Sequence, residues 1–199
     1  MKHYISILMV AITLGLAFPA HADPQTTLRQ FRVKMRESIM WYVNHTAKQL
    51  SIAEQGAENS GANIENMKLL IALSEGKSAR ISAEDALKRL LDKEGKLSSV
   101  RTSDPDTGTS AFKEATSYYS EAQKKYKAVA QSYRSANSAA QNALRYLDQN
   151  DDERMGAYAI NAENISKEAD SEHNTAYSRY NDGHRLSEVG REKYNSIAK

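Results

Sequence analysis

Residues 112–147 read FKEATSYYSEAQKKYKAVAQSYRSANSAAQNALRYL, and their spacing decides the fold. Phe112, Ala115, Tyr119, Ala122, Tyr126, Val129, Tyr133, Ala136, Ala140, Ala143 and Leu147 recur at alternating intervals of three and four. Five heptads pass with no polar interruption except tyrosine hydroxyls, which is the pattern of a coiled-coil seam. Bulky rings and alanines share the seam. Rings of that size need small residues opposite them, and the alanines let a partner backbone come close.

The downstream sequence offers such a partner. Asp148-Gln149-Asn150-Asp151-Asp152 is a polar break suited to a helix–helix turn. Folding the chain back at residue 151 sets Leu147 against Met155, Ala140 against Ala162 and Tyr133 against Ala169. It also sets Tyr126 against Ala176, Tyr119 against Gly183 and Phe112 against Gly190. A second track pairs Ala143 with Tyr158, Ala136 with Ile165 and Ala115 with Leu186. The imperfect layers are Val129 near Glu172 or His173, and Ala122 near Arg179 or Tyr180. Residues 111–199 therefore read as an antiparallel Ala/Tyr-rich helical hairpin.

Upstream, Leu28, Phe31, Met35, Ile39, Tyr42, Thr46, Leu50 and Ala53 follow an eleven-residue repeat. That period sits close to 3.6 residues per turn and predicts a nearly straight helix over 23–56. Glu54–Gly61 is polar and holds Gly56 and Gly61, so it reads as a turn. Ile64, Met67, Leu70 and Ile71 predict a short helix ending at Gly76. Ser82-Ala83-Glu84-Asp85 reads as the start of another, which carries Ala86, Leu87, Leu90 and Leu91 and stops at Gly95. Residues 57–97 are expected to form a small helical appendage. Residues 98–110, with Asp104-Pro105-Asp106-Thr107-Gly108, read as a mobile linker. The predicted fold class is all-α: an elongated three-helix bundle with an antiparallel coiled-coil hairpin and a small helical appendage.

Residues 1–22 stand apart. Ile5 to Phe18 is a nearly unbroken apolar run, and Ala20-His21-Ala22 fits the A-x-A cleavage rule. This predicts a secretory signal cleaved after Ala22, and a bacterial periplasmic, cell-surface or secreted destination. The longest apolar runs further on, Ile39–Val43 and Leu69–Leu73, are far too short to span a membrane.

Composition narrows function. The chain of 199 residues has no cysteine, so disulfides, thiolate metal sites and cysteine nucleophiles are excluded. A net charge of +2 gives no basic excess for nucleic acid. His45, His173 and His184 lack metal-ligand spacing, and they read as surface or seam-edge residues. Asp104 to Gly108 and Asp148 to Asp152 each start like a calcium loop, but Ala115 and Ala159 stand where the closing acid belongs. No phosphate-cradling glycine loop or nucleophile elbow occurs, and the sequence implies neither catalytic residue nor cofactor. The seam residues Phe112, Tyr119, Tyr126, Tyr133, Ala140, Leu147, Ala169, Ala176, Gly183 and Gly190 are read as packing. Trp41 reads first as core and second as a binding hot spot. Tyr118 and Tyr146, just off the seam at one heptad position, are candidate contacts for the first helix or a partner.

The order of long helix, compact helical insertion, loop and two long helices, behind an export signal, resembles the minor pilus-tip subunits of bacterial type IV secretion and conjugation systems. The resemblance is one of layout over the chain after the signal, and it transfers no functional residues. It implies a protein that mediates assembly or adhesion through protein partners in the envelope. A periplasmic chaperone or adaptor, an inhibitor and a helical pore-forming toxin are the alternative expectations. The L-T-x-x-Q repeats of the Spy-type chaperones are absent, and Leu69–Leu73 is short for a pore-forming hairpin.

Overall fold

The computed structural model describes residues 24–91 and 106–197, with the side chains of 24 and 89–91 left aside. These residues form three helices and no strand: α1 (Pro24–Leu91), α2 (Thr109–Asp148) and α3 (Asp152–Ser196). They pack as a helical bundle. The protein is all-α, as the seam spacing predicts.

The main departure is in α1. It does not end at residue 56, and no pair of short helices follows; one helix of 68 residues runs to Leu91. The turn expected at 54–61, the stop at Gly76 and the fresh start at Ser82 are all helix interior. Buried Ala53, Ala57, Ser60, Met67 and Ser74, with half-buried Ile64 and Ile71, carry one stripe straight through the supposed break. A continuous buried face stabilises a helix more than two glycines weaken it, at about 1 kcal/mol each.

Gly56 and Gly61 are sites of close packing. A Cβ at Gly56 would lie 2.7 Å from the Tyr126 ring, and one at Gly61 would lie 2.7 Å from the Gln123 amide. Real Cβ atoms essentially never come so close. Gly76 has nothing within 4 Å and faces open space.

The contacts divide into two compact units, each fed by all three helices. In the first (residues up to Gly56, with Lys125–Thr175), Phe31, Met35 and Ile39 of α1 meet Ala140, Ala143 and Leu147 of α2 and Met155, Ala159 and Ala162 of α3. The α2–α3 turn closes this core. Asn150 takes a left-handed φ of 60°, and the Asp151 N–H donates to the Tyr146 carbonyl at 3.0 Å. The Asp151 carboxylate accepts from the Arg154 N–H at 3.1 Å and caps α3. Arg32 binds Asp152 at 3.0 Å, and Arg36 pairs with Asp148.

In the second unit (Ala57–Lys124 and Ala176 onward), Met67, Phe112, Ala115 and Tyr119 form the core, with Ile64, Leu70, Tyr180 and Tyr194 against it. The Phe112 ring lies on Gly190 and the Tyr119 ring on Gly183; added Cβ atoms there would come within 2.5 and 3.0 Å of those rings. Residues 98–105 of the expected linker lie outside the described residues, as do 92–97 of the expected appendage. Residues 106–110 are anchored rather than loose. The buried Ser74 hydroxyl donates to the Thr107 carbonyl at 2.7 Å, and Asp106 pairs with Lys193 at 2.6 Å. Gly108 sits at φ 83°, packed against the Gly190 backbone. There is no room for a side chain at Gly108, and an L residue would be strained at that φ.

The α3 seam also differs from expectation. Met155, Ala159, Ala162, Ser166, Ala169, Ala176, Gly183, Ser187 and Gly190 are buried, with His173, Tyr180 and Tyr194 half-buried in the same heptad track. The expected track members Tyr158, Ile165 and Leu186 are only half-buried, and Glu172 is exposed. The seam selects the smaller neighbour one position along because close helix approach requires it.

Four glycines give contrasting expectations in urea unfolding. Gly76→Ala should stabilise by about 0.5–1 kcal/mol through helix propensity alone. Gly56→Ala and Gly190→Ala should destabilise despite that propensity, because each methyl meets a ring. Gly183→Leu should cost about 1–3 kcal/mol through overpacking. A stabilising Gly56→Ala would show that Tyr126 does not need the notch.

Candidate interaction surface

All eleven seam residues of α2, from Phe112 to Leu147, are buried. So are Ala169, Ala176, Gly183 and Gly190 of α3. Tyr126, set against Ala176 by the sequence register, lies with its ring on Gly56 of α1 and edge-on to His173 at 5.5 Å. These residues hold the fold and present nothing outward.

Trp41 does the opposite. The expectation that it is core fails: Ile39 takes the buried position, and Trp41, two residues on, is turned outward at 57% exposure. Its ring is nonetheless fixed. It stacks on His45 one turn later, with centroids 4.7 Å apart and planes within 7°. It also meets Tyr42 edge-on at 4.9 Å. Neighbouring Met40 is 40% exposed.

A polar chain backs the His45 ring. His45 Nε2 lies 3.3 Å from both carboxylate oxygens of Asp170 on α3. The Tyr133 hydroxyl on α2 donates to Asp170 Oδ1 at 2.6 Å, and its oxygen lies 3.5 Å from His173 Nδ1. Thus α1, α2 and α3 meet at one carboxylate behind the tryptophan. Nearby, Asn137 donates to the Val43 carbonyl and the buried Thr46 hydroxyl, each at 2.8 Å.

Burial and the Asp170 bond both push the Tyr133 phenol far above the usual tyrosine range, because its ionised form would be desolvated beside an anion. Burial also pushes His173 below 6.5, with Asp170 partly opposing the shift. The sequence reading missed Asp170 and the role of His45. A usable signal existed: a buried tyrosine hydroxyl needs an acceptor, and Asp170 follows the Ala169 layer assigned to Tyr133.

Tyr118 and Tyr146 both contact α3, and Tyr146 also packs against the core that holds Phe31, Met35 and Ile39 of α1. Both are half-buried. The Arg179 guanidinium lies over the Tyr118 ring at 5.6 Å. Tyr146 stacks on Tyr158 at 5.4 Å, with Arg145 and Arg154 over its ring at 5.0 and 5.5 Å. The bond from Arg145, with help from Arg154, holds the Tyr146 phenol below its usual range. Both rings are already engaged, whereas Trp41 at 57% and Tyr177 at 58% are the more exposed aromatics among the described residues.

Among the described residues, no three His, Asp or Glu side chains converge to hold a metal ion, and no helix is long and apolar enough to cross a membrane. Compared with family models, curated proteins and solved structures, the chain matches none.

His173 sets a pH dependence. Its folded pKa is depressed, so above 6.5 it is neutral in both states and contributes nothing. Below 6.5 the unfolded chain binds the proton first, and stability falls until pH passes the folded value. Wild type should lose more stability than His173→Gln between pH 7.5 and 5.5 in urea titrations. Parallel losses in the two proteins would remove His173 as the cause.

Proposed function

We propose that this chain is a non-enzymatic, exported helical interaction protein that engages a protein partner in the bacterial envelope through the Trp41 surface. The observation that carries the reading is a large aromatic held rigid on His45 yet open to solvent. A fixed ring loses little conformational entropy on docking, and tryptophan leads the residues that dominate interfaces. The apolar run at Ile5–Phe18 ahead of Ala20-His21-Ala22, and the absence of cysteine, support export from a bacterial cell. The finer proposal is a minor pilus or secretion-system component that mediates assembly or adhesion. It rests on the layout resemblance, weakened because the compact insertion is replaced by continued helix.

The test is a photoreactive amino acid placed at position 41 in the producing cell. Irradiation should yield one defined envelope adduct. For the partner so identified, Trp41→Ala should weaken binding by about 30-fold or more, the size of a hot-spot loss. Its folding stability should change by about 0.5 kcal/mol at most, as for an ordinary surface substitution. Illumination without an adduct, or turnover of a substrate by purified protein, would refute the proposal.

A further inference from the structure

Between Glu65 and Arg80 the outer face of α1 is the wrong kind of surface for a helix in a bundle. The inner stripe through Ile64, Met67, Ile71 and Ser74 packs on the rest of the second unit. The opposite face should be charged. Instead Leu69 is 67% exposed and Leu73 is 57% exposed, one turn apart on the same side. Ala72, Gly76, Ala79 and Ala83 are exposed around them. This face repeats the composition of the internal seams: bulky apolar residues beside small ones, on a three-and-four spacing.

We propose that this face is a self-association surface, pairing antiparallel with the same face of a second copy of the chain about a two-fold axis at Ala72. The charges choose both the occupant and the direction. Lys68 and Glu75 are one heptad apart, so they share one flank of the face. A two-fold at Ala72 sets Lys68 level with Gly76 of the second copy, one residue from Glu75, and the reverse, giving two opposite-charge pairs within reach of these long side chains. Glu65 comes level with Ala79 of the second copy, one residue from Arg80. Leu69 and Leu73 from both chains then form a central cluster of four leucines, and the two Ala72 positions allow close backbone approach. An in-register parallel pair would instead set Lys68 against Lys68 and Glu75 against Glu75. The pairs that Lys68 makes with Glu65 at 2.6 Å and Glu75 makes with Lys113 at 2.8 Å are exposed ones. Such pairs contribute little, so exchanging them on association costs little.

The chain has no cysteine, which allows a direct test. Under mild oxidation Ala72→Cys should give a disulfide-linked dimer, while Ala83→Cys, on the same face but three turns from the axis, should not. In sedimentation velocity wild type should be a dimer, and Leu73→Glu should weaken association by about 30-fold or more with unchanged helicity. Lys68→Glu should weaken it too, and adding Glu75→Lys should restore it. A wild type monomeric at about 100 μM, well above the dissociation constants of specific pairs, would overturn the proposal. So would equal cross-linking of both cysteine variants, or a dimer indifferent to Leu73→Glu. Complementation by a different envelope protein on this face would appear as the first of these results.

Discussion

The structure depends on aromatic rings of one helix lying on glycines of another. Phe112 lies on Gly190, Tyr119 on Gly183 and Tyr126 on Gly56. A ring brings a large apolar area, but it can be buried between two helices only if the facing helix gives up volume at that level. Glycine gives up the most. The cost is about 1 kcal/mol of helix propensity at each position, and ring burial outweighs it. Because the notch is built from the backbone, it cannot be repaired by a rotamer change. Ring and glycine are therefore fixed as pairs, and each pair sets the local register of two helices.

Rings of this kind bring a second constraint when they are tyrosines. The hydroxyl end of a buried tyrosine must find a partner, since an unpaired one costs a substantial fraction of total stability. Tyr133 finds Asp170 at 2.6 Å, and Asp170 in turn fixes His45, on which Trp41 stacks. Internal packing thereby reaches the surface. A phenol placed by the seam orients a carboxylate, the carboxylate orients an imidazole, and the imidazole holds an exposed indole. The rigidity of Trp41 is thus inherited from the packing of α2 and does not arise within α1 alone.

Much of this was legible in the sequence. The eleven residues picked out by the spacing from Phe112 to Leu147 are all buried, because coiled-coil periodicity leaves a direct mark on residue type, while buried Ala130 and Ala139 fell outside it. The turn at 148–152 was equally visible, since helix caps draw on few residue types. The course of α1 past Gly56 was misread for one reason: local rules weigh glycine and polarity, while the deciding term was tertiary. Ala53, Ala57, Ser60, Ile64, Met67, Ile71 and Ser74 keep the three-and-four spacing throughout, but alanine and serine hardly register as seam residues on a hydrophobicity scale. Gly56 looked like a breaker because the ring that fills the space beside it is 70 residues away, at Tyr126. The same blindness applied to Trp41. Its neighbours Ile39 and Tyr42 satisfy the apolar stripe, and that spacing already turned Trp41 away from it; reading Trp41 as core followed residue type against periodicity.

The composition of α1 carries a further consequence. Serine and alanine suffice on an inner face when the opposing helix supplies the bulk, as Phe112 and Tyr119 do in the second unit. Leu70 of this segment packs on the core of the second unit, yet Leu69 and Leu73 stand outside. Scattered exposed leucines are ordinary on protein surfaces. Two on adjacent turns, with Ala72 and Gly76 beside them and Lys68 and Glu75 along one flank, are not scattered. The sequence places small residues wherever another helix comes close, at Gly56, Gly183 and Gly190 within the chain. Ala72 and Gly76 extend that habit to a face on which the described chain itself packs nothing at Gly76. By the rule that builds the interior of this molecule, large side chains next to small ones mark the approach of a helix, and the pairing proposed for Leu69 and Leu73 follows that rule.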